Sequence, residues 1–227
     1  SETNGLQNYD ALYADVLLWT EKGWVDYMMP QLYWEREHKL ASHDILNEWW
    51  AKNNNGRHMY IGQSVNRTMD KADLAPSAEA SQLRSKIEMS RAFPDGIHGN
   101  CWWPGYSVTR NYKGVADSLA NDLQSTIALV PAYPWISTEA PAIVDVKAKD
   151  GKLSWIAPAE EGKVTDVVRY VVYRFDDKKS VNLEDASAIV VVTPNTTFEA
   201  NEKGVYVVTA LNRANNESPA SKPVEIK

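Results

Sequence analysis

The hydrophobic periodicity of the chain changes partway along, and that change limits the folds open to it. Up to residue 128, stretches with apolar residues at three- and four-residue spacing alternate with short, nearly continuous apolar runs. From residue 142 onward almost only two-residue alternation remains. The first pattern is that of helices alternating with strands covered on both faces, the second that of half-buried strands joined by turns. Between them, residues 129–141 carry Pro131, Pro134 and Pro141, which deny a continuous helix or a central strand, so this stretch reads as an extended linker. The expectation is an α/β part over residues 1–138 and an all-β part over 139–227.

In the first part, Tyr9, Leu12, Tyr13, Val16 and Trp19 share one helical face, and Gly23 can close that helix. Residues 24–34 form a short apolar run that reads as a covered strand, interrupted by Pro30. Ser42 is placed to cap a helix over 42–52, with Ile45, Leu46, Trp49 and Trp50 on its buried side. The unit then repeats: a turn at 53–56, a strand over 57–63 and a loop over 64–75. A helix follows from Pro76-Ser77 with Ala80, Leu83, Ile87 and Ala92, then a strand over 96–103 and a helix over 113–128. Strands and helices in this order imply parallel βαβ units. Three units are too few to close an eight-stranded barrel, which takes about 250 residues. Either the sheet is open and complete in itself, or the chain is the C-terminal piece of a longer protein, completing its sheet with an N-terminal portion or by self-association. The second is the favoured expectation, because the chain opens on a helix with no strand before it.

In the second part, residues 143–148 alternate and run into the Asp150-Gly151 hairpin signal. Strands are expected at 152–156, 167–175, 188–192, 204–212 and 223–227, a spacing that suggests a sandwich.

The net charge is −6 and the 24 basic residues are scattered, which argues against a nucleic-acid partner. No apolar run is long enough to span a membrane, and no signal peptide is visible. The nine Trp and eleven Tyr beside three Phe are informative, because Trp and Tyr pair a flat apolar face with a polar edge, as sugar rings do.

Within residues 139–227, Leu153-Ser154-Trp155, the run 170–174 and the run 205–213 followed by Glu217-Ser218 resemble fibronectin type III domains. The resemblance implies a β-sandwich spacer or docking module. In the first part, Tyr13 to Trp19, then 23–27 with Asp26, then Pro30-Gln31-Leu32-Tyr33-Trp34 resemble the family-ten-like glycosyl hydrolases, bacterial proteins that are often lipoproteins or secreted. Tyr60-Ile61-Gly62 and 128–131 with Pro134-Trp135 fall in the same order. This resemblance implies the C-terminal βα units of a (β/α)8 barrel, a carbohydrate substrate, and a secreted, periplasmic or cell-surface location.

Barrel sites lie at the C-terminal ends of the strands. Those ends offer Gln31, Tyr33, Trp34, Gln63, Arg67 and Trp102 as substrate-binding residues, with the amides positioned to bridge hydroxyls and the indoles to stack on a ring. Alternation along the last strand sends one of Trp102 and Trp103 inward and the other into the helix layer. Glycoside hydrolysis commonly needs two carboxylates. Glu35 is the single catalytic candidate, with solvated loop charge as its alternative, so at least one catalytic acid is expected outside this chain. Asp26 sits at a strand start and reads as structural. The histidines lack metal spacing, Cys101 lacks a motif partner, and no phosphate-binding glycine loop occurs, so neither metal nor cofactor is expected. A non-catalytic glycan-binding or scaffold protein is the competing reading.

Overall fold

The computed structural model describes residues 3–73, 80–156 and 162–227. The chain forms two compact units, Ser1–Ser125 and Thr126–Lys227. The first is α/β and the second all-β.

The first unit opens with two short helices, α1 (Asn8–Leu12) and α2 (Val16–Glu21), where one helix was expected. Tyr13 takes a left-handed conformation (φ 52°) and ends α1, and the Asp15 carboxylate accepts from the Leu18 amide at 3.0 Å and starts α2 afresh. Gly23 closes α2 as expected. Its amide donates to Thr20 and that of Trp24 to Trp19, the paired bonds of a left-handed helix end.

Strand β1 is regular only over Tyr27–Met28, much less than the expected run. Pro30 lacks an amide hydrogen, yet its carbonyl accepts from Gly62 at 2.9 Å, and Leu32 donates to Gly62 at 2.9 Å, so the ladder continues past the proline. Helix α3 (His43–Lys52) follows, with Ser42 at the N-cap position but no side-chain capping bond. Strand β2 (His58–Ser64) leads directly into α4 (Val65–Asp70), where a loop was expected. The Ser64 hydroxyl accepts from the Arg67 amide and caps that helix. Helix α5 (Leu83–Arg91) carries the expected Leu83 and Ile87, while the Pro76-Ser77 helix start lies outside the described residues. Strand β3 (Gly99–Trp103) is followed by α6 (Gly105–Thr109) and α7 (Val115–Ser118), which runs into a π-helical turn at Leu119–Leu123. The helix expected from 113 starts later because Asn111 and Lys113 are left-handed. The Asn111 carboxamide oxygen accepts from Ala116 and Asp117 and caps it.

The three strands form a parallel sheet in the order β1-β2-β3. On its helix-covered face Leu32, Met59 and Ile61 pack with Trp50, Ala51 and Ile97. Val65, Met69, Leu83, Ile87, Val115 and Leu119 make a second cluster among the helices. Met59 and Ile61 are fully buried, each contributing about 1.5–3 kcal/mol. The expected apolar face of the first helix is not buried: Tyr13 is 94% exposed.

The second unit holds β4 (Val146–Lys149), β5 (Lys152–Trp155), β6 (Val167–Phe175), β7 (Ile189–Thr193), β8 (Thr197–Glu199), β9 (Gly204–Asn212) and β10 (Val224–Ile226). Among the described residues all its strand pairings are antiparallel, in sheets ordered β10-β9-β6-β7 and β4-β5-β8. The sheets share a core in which Leu153 and Trp155 of one meet Tyr170, Val172, Tyr206 and Val208 of the other. Asp150 and Gly151 are both left-handed (φ 50° and 75°), the turn expected between β4 and β5. The short β8 had not been expected.

The proline-rich segment 129–141 has no regular structure, but it is more than a linker. Tyr133 donates to Ala214, and Pro131, Ser137 and Glu139 accept from Asn215, Asn216 and Asn212. Leu129 packs with Val171, Tyr173, Val207 and Leu211 on the sheet's other face. Residues 126–138 therefore group with the second unit, ahead of the 138/139 boundary drawn from sequence.

Candidate functional site

The register of the parallel sheet sorts every strand residue onto one of two faces. Tyr27 pairs with His58, Met28 with Met59 and Gln31 with Gly62, so the alignment holds through the irregular end of β1. Across the next gap Gly62 pairs with Cys101, Gln63 with Trp102 and Ser64 with Trp103. Alternation puts Met28, Met59, Ile61, Gln63, Asn100 and Trp102 on the helix-covered face. It leaves Tyr27, Gln31, Tyr33, Gly62, Ser64, Cys101 and Trp103 on the other.

This corrects two expected site residues. Gln63 is fully buried against the helix layer, its Nε2 3.1 Å from His43 Nε2 and donating to Asn100 Oδ1 at 3.0 Å. Trp102 packs beside the cluster of Val65, Leu83 and Val115. Neither side chain reaches the face that carries Gln31 and Tyr33, because odd and even positions of one strand point oppositely. Trp103, by contrast, is 60% exposed.

Beneath the strand ends lies a buried polar network that sequence reasoning missed. Lys86 of α5 has no exposed surface. Its ammonium donates to the Trp34 carbonyl at 2.8 Å and to Thr68 Oγ1 at 3.3 Å. Ser90 Oγ lies 3.3 Å from Asn47 Oδ1 and 3.4 Å from Asn100 Oδ1, and it donates to the Lys86 carbonyl at 3.1 Å. Burial pulls the Lys86 ammonium down to about 8, against the pull of Glu35 and Asp44. Burial, reinforced by Lys86 and Arg36, takes His43 down to about 3 and keeps it neutral. Helix spacing of Lys86 and Ser90, four residues apart, was the available signal, but an isolated lysine in a helix reads as solvated.

The loop after β1 is held by this network. Trp34 is anchored through its carbonyl by Lys86, and the Arg36 amide donates to Gln82 Oε1 at 3.0 Å. The Arg36 guanidinium grips Asp44 through Nε and Nη2 at 3.1–3.2 Å and reaches Asp73 at 3.4 Å. Glu35 sits between these anchors, half-buried, and its charge is felt by Lys86. The Trp34 ring lies 6.4 Å from that of His38 and lines a cleft of about 600 Å³ with residues of α1, α2 and α3. Arg67 is exposed on α4. Gln31 is exposed and Tyr33 half-buried. Burial and the nearby Cys101 thiol push the Tyr33 phenol up. Tyr33 and Cys101 are therefore electrostatic neighbours across Gly62. All seven expected residues thus lie at or just past the same end of the sheet, but Gln63 and Trp102 are turned into the helix layer, away from the face that carries Gln31 and Tyr33.

Aromatic faces, amide and hydroxyl groups and one carboxylate suit the binding of a polyhydroxylated ring. Of the acids that follow β1, Asp44 and Asp73 are engaged by Arg36, while Glu35 sits next to the strand end. Among the described residues no group of three or more His, Cys, Asp or Glu is arranged to hold a metal ion, and no helix is long and apolar enough to cross a membrane.

Comparison with known proteins fits this chemistry. Residues 1–76 match the family described as Glycosyl hydrolase-like 10. Glycosyl hydrolase YngK of Bacillus subtilis (strain 168) is 32% identical over 229 residues, covering 96% of this chain and 44% of that protein. Glycosyl hydrolase DigH of Escherichia coli (strain K12) is 30% identical over 101 residues, 42% of this chain and 23% of that protein. The chain thus spans less than half the length of these relatives. It is similar to glycosyl hydrolase-like proteins.

Proposed function

We propose that the first unit is the C-terminal portion of a (β/α)8 glycosidase-like barrel acting on a poly- or oligosaccharide, such as a cell-wall glycan, in a secreted, periplasmic or cell-surface setting. The observation that carries this reading is the similarity to Glycosyl hydrolase YngK across both units. Its support in the geometry is the parallel β1-β2-β3 sheet with helices on one face and a polar, aromatic set at the strands' C-terminal ends. The second unit is read as a fibronectin type III-like sandwich. Its strand orders, the Trp155–Tyr170 ring contact at 5.4 Å and the Tyr206 hydroxyl donating back to the Glu202 carbonyl at 2.7 Å support that reading.

In this reading Glu35 is the acid contributed by these three units, and a second carboxylate comes from elsewhere in the full-length protein. The test is release of reducing ends from a panel of polysaccharides by the protein extended to the length of its relatives. Glu35→Gln is expected to lower the rate by about 10²-fold or more. Release that Glu35→Gln leaves unchanged removes Glu35 from the chemistry. Glycan binding with no release favours the non-catalytic reading, to which the scarcity of carboxylates at these strand ends already points.

A further inference from the structure

The open face of the sheet carries a slot that the strand register builds. In one row Gln31, Gly62 and Cys101 stand side by side on β1, β2 and β3. Two residues on, Ser64 pairs with Trp103, and Tyr33, two residues past Gln31 and close enough to Cys101 to feel its thiol, stands on the same side. The middle strand contributes no side chain in the first row and only a hydroxymethyl group in the second. The flanking strands contribute a phenol and an indole. Neighbouring strands lie about 4.8 Å apart, so the outer two backbones stand about 10 Å apart, wide enough for one flat ring above a bare middle strand.

Gly62 is confined to glycine by the backbone. A Cβ there would meet the Pro30 carbonyl oxygen at 2.9 Å. The floor of the slot is therefore kept low by the same approach that closes the β1–β2 ladder. Ser64 is fixed as well, its hydroxyl accepting from Arg67 to cap α4. Behind Trp103, Ser107 of α6 donates to Asn66 of α4 at 2.9 Å, tying the segments that follow β2 and β3. The walls thus stand on anchored backbone, while the Trp103 ring is largely open to solvent.

We propose that this slot, walled by Tyr33 and Trp103 and floored by Gly62 and Ser64, holds a single pyranose ring of the glycan. Gln31 and Cys101 border it at its lower end. The proposal rests on the carbohydrate reading above and adds the position of one sugar and the part played by Trp103. Trp103 stacks on the ring's apolar face, and Gln31 offers a donor and an acceptor to its hydroxyls.

The chain supplies its own reporter. Cys101 is the single cysteine and is exposed at the slot's edge. The experiment measures the rate at which a maleimide labels Cys101, with and without millimolar cello-, chito- and maltotetraose and a cell-wall glycan fragment. Binding of each sugar to the wild type, Trp103→Ala, Tyr33→Ala and the labelled protein is measured in parallel. The expected result is that at least one sugar slows labelling. Its affinity should fall about tenfold in each aromatic variant and be lost after labelling. A sugar that binds but neither protects Cys101 nor responds to Trp103→Ala overturns the slot and leaves the glycosidase reading intact. Failure of every sugar to bind the wild type also overturns the slot, and reducing-end release by the full-length protein then judges the wider reading separately. Trp103→Ala and Tyr33→Ala are checked for wild-type circular dichroism, and labelling of the native thiol needs no substitution at all.

Discussion

Lys86 should give the first unit an unusual response to alkali. Its ammonium is wholly buried and is lowered from 10.5 to about 8, chiefly by burial. In the unfolded chain it recovers its ordinary value. Between pH 8 and 10.5 the unfolded state therefore holds a proton that the folded state has released, and stability rises with pH across that window. At 1.36 kcal/mol per pH unit, the burial penalty carried at neutral pH and relieved by pH 10.5 is about 3 kcal/mol. The assay is urea unfolding from pH 7 to 11, comparing wild type with Lys86→Met. Tyr170, Tyr173 and Tyr206, whose phenols are raised, oppose the trend above pH 10, but they contribute equally to both proteins and cancel in the difference. The wild type is expected to gain stability relative to the variant by about 3 kcal/mol as pH rises from 8 to 10.5. A difference that stays flat over that range would refute the assignment of Lys86 as a buried, partly desolvated cation. The same variant frees the Trp34 carbonyl from its donor and is expected to loosen the loop that holds Glu35, seen as faster amide exchange over residues 34–36.

Two other changes test the packing. His43 is lowered from 6.5 to about 3, so as pH falls below 6.5 the unfolded chain binds a proton that the folded chain refuses, and stability drops by up to about 1.4 kcal/mol per pH unit. His43→Gln is expected to flatten this part of the acid limb, measured by urea midpoints from pH 7 to 4, and an unchanged slope would count against it. Asn212 is fully buried, donating to the Glu139 carbonyl at 2.7 Å and accepting from Ala214 and Asn216 at 3.0 and 2.9 Å. Asn212→Ala should therefore destabilise the second unit by about 3 kcal/mol, read from its thermal midpoint, and a loss under about 1 kcal/mol would show that segment 129–141 is not held there.

The all-β part was legible because period-two alternation and the Asp150-Gly151 turn are local signals, and strands such as β6 and β9 lie close to where they were expected. The short β8 was not, since three residues leave no period to read. In the first unit the parallel strands were found from their apolar runs, but such runs carry no alternation to say which side chain faces which layer. That is why Gln63 and Trp102 were placed at the site and Trp103 was not. Side was decided by the partner strand's register, a relation between residues 31, 62 and 101 that no local window contains. Lys86 was missed for the related reason that its desolvation comes from α3, α4 and the loop after β1, all distant in sequence.

Gly62 leaves two demands on one atom that is not there. A methyl group would crowd the carbonyl of Pro30 and the backbone of Gln31, and it would fill the bare strip between Gln31 and Cys101 on its own row. Sequence drift at this point therefore has no neutral direction, because any side chain that remodels what the sheet can accommodate also pries apart the strands that form it. Variation on this face is left to the outer strands, where Gln31 and Trp103 are exposed.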